Sequence, residues 1–180
     1  MSGPGIRPGA LGVAATRRCG EALGWGTLGV RVLAASAFLG DTLWWLIGLM
    51  GLLGDVGLRI ALPQLLASSQ LHGPGQWLWC VLWLPVLEEV TFRGILQGEL
   101  LRTGWGQLRV FGLTAANVAC SVLFVALHFL HHRPLWALSV LAPSLVLGWL
   151  RERHSGIASP IAMHALFNLT FFAAASLGAG

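Results

Sequence analysis

Three short groups of polar residues stand inside otherwise apolar sequence, and their types suit hydrolysis. Glu88, Glu89 and Arg93 lie in the run Leu87-Glu88-Glu89-Val90-Thr91-Phe92-Arg93-Gly94. His128 closes Phe124-Val125-Ala126-Leu127-His128, and His164 and Asn168 bracket His164-Ala165-Leu166-Phe167-Asn168. A carboxylate can take a proton from water, an imidazole can share it, and N–H donors can hold an oxyanion. On a helix, Glu89 and Arg93 are i,i+4 and share a face in the order that favours an ion pair. Glu88 is turned away by about 100° and has no local partner. His164 and Asn168 are also i,i+4 and can point at a common atom. Each group taken singly has a structural reading as well: a polar bridge between helices, a hydrogen-bonded packing histidine, a helix–helix pair. His131 and His132 read as interfacial residues where a helix meets water. The chain has no GxSxG, HExxH or P-loop, and Gly94-Ile95-Leu96-Gln97-Gly98 reads as a close helix-packing site.

The elements that must position these residues are membrane helices. Of 180 residues, 56% are hydrophobic and 10% charged, against roughly 25% charged in ordinary soluble domains. Mean hydropathy is +0.74. This composition excludes disorder and a nucleic-acid-binding arm, and it disfavours a soluble domain. At roughly 20 residues per crossing, the length suits an all-α polytopic bundle of about five or six transmembrane helices. All 11 basic residues are arginines. They are dispersed beside apolar stretches, as expected of helix ends retained in the cytoplasm rather than of a nucleic-acid surface. Cys19, Cys80 and Cys120 form no CxxC pair and read as small apolar residues.

Along the chain, 1–30 reads as a cytoplasmic arm carrying Gly and Arg, and 31–75 as a first span with its connecting segment. The first span is expected at Val32–Leu53, with Asp41 inside it. Residues 54–75 read either as a loop with an interfacial helix or as an extra crossing. Further spans are expected at Gln76–Leu101, Val110–His132, Leu135–Leu150 and Ile157–Leu177. With five spans, Arg17, Arg18 and Arg31, then Arg102 and Arg109, then Arg151 and Arg153 all fall on one side. By the positive-inside rule that side is cytoplasmic, as is the amino terminus. Since each charge at mid-bilayer costs roughly 2.5–3.5 kcal/mol, the polar groups on three of these spans must converge on one shared interior.

Glu88-Glu89 with Arg93, Phe124 with His128, and His164 with Asn168, in that order on apolar helices, resemble the signature of the CAAX-protease and bacteriocin-processing (CPBP, or Abi) membrane proteases. Phe92-Arg93-Gly94-Ile95-Leu96 and the stretch Gly148-Trp149-Leu150 to Ser159-Pro160-Ile161-Ala162-Met163-His164 are also similar to that family, so the resemblance covers about 76–178 as a catalytic core. It implies an intramembrane endopeptidase of a bacterial inner membrane, in which Glu88 and His128 activate water. His164 and Asn168 would stabilise the oxyanion, Glu89 and Arg93 would hold the site in shape, and Phe124 would support it. It further implies a glutamate protease with no metal or other cofactor; zinc held by Glu88, His128 and His164 is the alternative. Partners are then membrane lipid and a peptide or protein substrate with a carboxyl-terminal sorting tail, a leader or a lipidated end. The competing class is a non-catalytic membrane protein, serving bacteriocin immunity or transport, with the same cluster as structural glue.

Overall fold

The computed structural model describes residues 38–66 and 69–177. The amino-terminal arm, with Arg17, Arg18, Cys19 and Arg31, lies outside them. Helix α1 (Thr42–Ala61) begins at Asp41, whose carboxylate accepts the Leu43 N–H and satisfies one of the open donors of the first turn. The expected span Val32–Leu53 is thereby corrected. Asp41 caps the helix instead of lying within it. The helix also continues past Asp55, because the Thr170 hydroxyl donates to that carboxylate at 2.6 Å. Between α1 and Gly73 the described residues hold only the four-residue helix α2 (Pro63–Leu66), too short to be an extra crossing.

From Pro74 to Leu100 the backbone is helical without interruption, close to the expected Gln76–Leu101, yet two of its turns are wider than α. Helix α3 (Pro74–Leu78) leads into a π-helical turn, Trp79–Trp83. Helix α4 (Leu84–Glu89) leads into a second, Val90–Leu96, and α5 (Gln97–Leu100) completes the run. Each π turn closes with an i→i−5 bond, Leu84 N–H to the Trp79 carbonyl and Gln97 N–H to the Phe92 carbonyl. The hairpin β1 (Arg109–Val110) and β2 (Leu113–Thr114) turns through Phe111 and Gly112, both at positive φ. Helix α6 (Ala115–His128) follows, its first turn capped by the Thr114 hydroxyl accepting the Asn117 N–H. The expected span Val110–His132 is therefore shorter at both ends. Helices α7 (Pro134–Ser139) and α8 (Leu141–Arg153) are offset at Val140, because Pro143 lacks the N–H that would bond the Ser139 carbonyl and its ring crowds that oxygen. Helix α9 (Ala158–Ser176) agrees with the fifth expected span.

Thr42–Ala61, Pro134–Arg153 and Ala158–Ser176 are long and apolar enough to cross a membrane. The polarity of the bundle is inverted relative to a soluble protein. Trp45, Met50, Ile60, Trp79, Trp83 and Leu130 are each at least half exposed, while Glu89, Arg93, Gln97, Ser121 and Ser144 are fully buried. Large apolar side chains face lipid and polar ones face each other, as an all-α membrane bundle requires. Glycine permits the closest helix contacts. A methyl on Gly148 would overlap the Asn117 amide where α8 meets α6, and one on Gly51 would overlap Phe167 where α1 meets α9.

Contacts between helix ends fix the order of crossings. Arg153 pairs with Asp41 at 2.6 Å, and Arg109 pairs with Glu152 at 3.1 Å. The start of α1, the hairpin and the end of α8 therefore share one side. Arg59 donates to the Leu177 carbonyl at 3.4 Å, so α1 and α9 end together on the other. This alternation of ends is the one expected of five crossings, and three of the described helices are long and apolar enough to span.

The hydrogen bond from Arg153, with further bonds from the Leu43 N–H and His154, lowers the Asp41 carboxyl from 3.8 to about 2. A carboxyl whose folded pKa is depressed stabilises the fold above its unfolded pKa, and loses that contribution as pH falls through the folded one. Asp41→Asn should therefore melt at a lower temperature in detergent at neutral pH. Its deficit against wild type should stay constant down to about pH 4 and shrink below it; a deficit independent of acid pH would reject the tie.

Candidate active site

The second π turn carries Arg93 into the centre of the bundle, where it is fully buried. Its Nε lies 3.3 Å from Glu89 Oε2, an ion pair without the alignment of a hydrogen bond. Its Nη2 donates to both the carbonyl and the hydroxyl of Ser144, at 2.8 Å each. The guanidinium also sits 5.3 Å from the centroid of the Phe124 ring, within cation–π range. One helical turn on, Gln97 donates to the Gly148 carbonyl and to Glu152, and Glu152 is held in turn by Thr114 and Arg109. A hydrogen-bonded chain thus runs from the centre of the bundle to the hairpin.

Helix α9 brings His164 between the two glutamates. Its Nδ1 is 2.9 Å from Glu89 Oε1, and its Nε2 is 3.5 Å from Glu88 Oε2. A carboxylate only accepts, so Nδ1–H donates to Glu89, while Nε2 approaches Glu88 without a hydrogen bond. Glu89 is fully buried, whereas the Glu88 side chain keeps 22% of its exposure. The adjacent carboxylates consequently differ in kind: Glu89 is engaged by Arg93 and His164, and Glu88 reaches open space.

That space is a cavity of about 200 Å³ lined by Glu88, Phe92, Phe124, Leu127, His128, His131 and His132. His128 Nδ1 lies 2.8 Å from the carbonyl of Phe124, one turn back on α6. A carbonyl only accepts, so Nδ1 carries the proton and Nε2 is the basic nitrogen of the neutral ring. Phe124 separates the charged groups. Its centroid is 5.0 Å from that of Phe92, 4.4 Å from His128 and 6.4 Å from His164.

Of the residues singled out by sequence, Glu88, His128 and Phe124 line one cavity, and Glu89, Arg93 and His164 form the charged group behind it. Asn168 stands apart: its amide donates to the Cys80 carbonyl at 2.8 Å, and it is not among the cavity-lining residues. His131 and His132, read as interfacial, belong to the cavity wall. Partial burial, with His128 and His131 close by, holds His132 below the usual histidine range. The i,i+4 step from His128 to His132 was the available signal, and their rings stack at 5.6 Å. Ser144, Gln97 and Glu152 carried no such signal, because hydroxyls and amides buried between helices have no characteristic spacing. Among the described residues no three His, Cys, Asp or Glu side chains are grouped to hold one metal ion.

Among known protein families, the one described as Type II CAAX prenyl endopeptidase Rce1-like matches residues 70–170. No curated protein and no solved structure matches the chain significantly.

Removing the charge of Glu89 would strand Arg93 inside the bundle, and breaking a buried pair on one side costs about 3–5 kcal/mol. Glu89→Gln should therefore lower the amount of folded protein recovered from membranes and its melting temperature. Glu88→Gln should leave both near wild type. Equal losses in the two variants would remove the distinction drawn between the carboxylates.

Proposed function

The chain belongs to the Type II CAAX prenyl endopeptidase Rce1-like family, and from that premise we propose that it is an intramembrane endopeptidase in which Glu88 activates the attacking water. The observation that carries this reading is that Glu88 and His128, from separate helices, line one cavity, while Glu89 beside it is buried against Arg93 and His164. In the proposed reaction, Glu88 takes a proton from water as the oxygen attacks the scissile carbonyl. His128 Nε2 shares that proton and passes it to the departing amine. In this step a proton on His164 Nε2 is offered to the oxyanion, while Glu89 fixes the ring through Nδ1.

The substrate is a peptide chain reached from the membrane, with a lipidated carboxyl-terminal tail as the first candidate on the strength of the family. The lipid-facing apolar surface beside the cavity suits such a tail. Sorting tails and leaders are the alternatives. The chain would reside in a bacterial inner membrane with a cytoplasmic amino terminus, following the arginine distribution. A reporter fused after Gly180 should then be active only on the outer side; cytoplasmic activity there would reject this orientation.

The protein reconstituted in vesicles should cut a farnesylated peptide with a CAAX-type tail, and mass spectrometry should find the new ends. Glu88→Gln should abolish the cut while the folded protein still accumulates. His164→Ala should slow it by about a hundred- to a thousand-fold, the usual worth of one oxyanion donor. A chelator should leave the rate unchanged. Full cleavage by Glu88→Gln would overturn the reading, and full biological activity of that variant would make the cluster structural. Inhibition by chelator reversed by zinc would move Glu88 and the histidines into ligand roles.

A further inference from the structure

Pro85 is a buried proline in a helix that must also present the glutamates, and the backbone around it is short of one donor. The first π turn closes with Leu84 N–H on the Trp79 carbonyl. The next bond of that pattern would run from residue 85 to the Cys80 carbonyl, and proline has no N–H to make it. An orphaned carbonyl in the membrane interior is costly, because no bulk water is at hand to satisfy it. Here the vacant place is taken from another helix: Asn168 Nδ2 donates to the Cys80 oxygen at 2.8 Å. Asn168 lies one turn beyond His164 on α9, and His164 touches Glu88 and Glu89, three and four residues after Pro85. Two fasteners on one face of α9 thus hold the same helix, one at its faulty turn and one at its carboxylates.

We propose that Asn168 is a positioning residue that supplies the backbone donor Pro85 lacks, and thereby holds the Glu88–Glu89 turn at the distance His164 needs. This role is exerted through the Cys80 carbonyl. The kinetic part of this inference rests on the proposed proteolysis, and the backbone part does not.

The test uses the full chain in detergent and four forms: wild type, Asn168→Ala, Pro85→Ala and the double variant. Restoring an N–H at position 85 lets the backbone bond Cys80 itself, so the two substitutions should be strongly coupled. Hydrogen exchange over residues 79–86 should quicken about tenfold in Asn168→Ala, and by less than about twofold when the same change is made in Pro85→Ala, a coupling within the range seen for contacting residues. With the farnesylated peptide in vesicles, Asn168→Ala should lower kcat at unchanged KM, and Pro85→Ala should remove most of that loss. Unaltered exchange in Asn168→Ala would overturn the proposal, and that measurement stands even if Pro85→Ala does not fold. An equal kcat loss in both backgrounds would also overturn it, since a direct oxyanion donor would behave that way. If no form cuts the peptide, the proteolytic reading falls while the exchange still decides the role of Asn168.

Discussion

A full positive charge inside a membrane bundle is the constraint around which this structure is organised. Arg93 has no exposed surface, and each of its neighbours answers that fact. Glu89 supplies the counter-charge, Ser144 supplies two acceptors, and Phe124 offers the face of its ring. The backbone of Arg93 is itself gripped, its carbonyl accepting from Arg151 Nε at 2.9 Å. Buried ion pairs of this kind contribute little net stability, but opening one is expensive, so they resist rearrangement more than they add to folding. Resistance of that sort suits a site whose groups must stay within a few tenths of an ångström of a working arrangement.

The same arrangement divides labour between adjacent carboxylates. Neighbours on a helix point about 100° apart, so one can face the interior and the other a cavity. Glu89 is fixed by two partners from two helices. Glu88 is held by one, His164, at a longer distance and keeps access to open space. The imidazole between them couples the two halves, so that the orientation of a ring near the cavity is set by a charge that never reaches it.

Much of this was legible in the sequence, and the remainder was hidden for definable reasons. Glu89 and Arg93 were paired by spacing alone, and the clustering of Glu88 with His128 and His164 followed from the cost of leaving them in lipid. Span limits were misjudged where a polar residue had a partner that sequence could not reveal. Asp41 looked like an acid within a span and is a cap, while the span expected to end at Leu53 continues past Asp55, which is bonded by Thr170. The two π turns have no compositional mark, yet they decide which way every side chain beyond them points. Spacing put Asn168 on the His164 face of its helix, but could not reveal its bond to the Cys80 carbonyl.

Helix α6 has 14 residues and rises about 21 Å, well short of a hydrocarbon core about 30 Å thick. Val118 and Val122 on its outer face are exposed, so lipid must adjust to this short wall. Bilayers meet such a mismatch by thinning locally, at a cost of fractions of a kcal/mol per ångström. His128 stands at the end of that helix, where the dent would be deepest and the aqueous phase nearest. The cavity is thus enclosed by the protein yet shallow with respect to the membrane, and water has little hydrocarbon to cross before reaching Glu88.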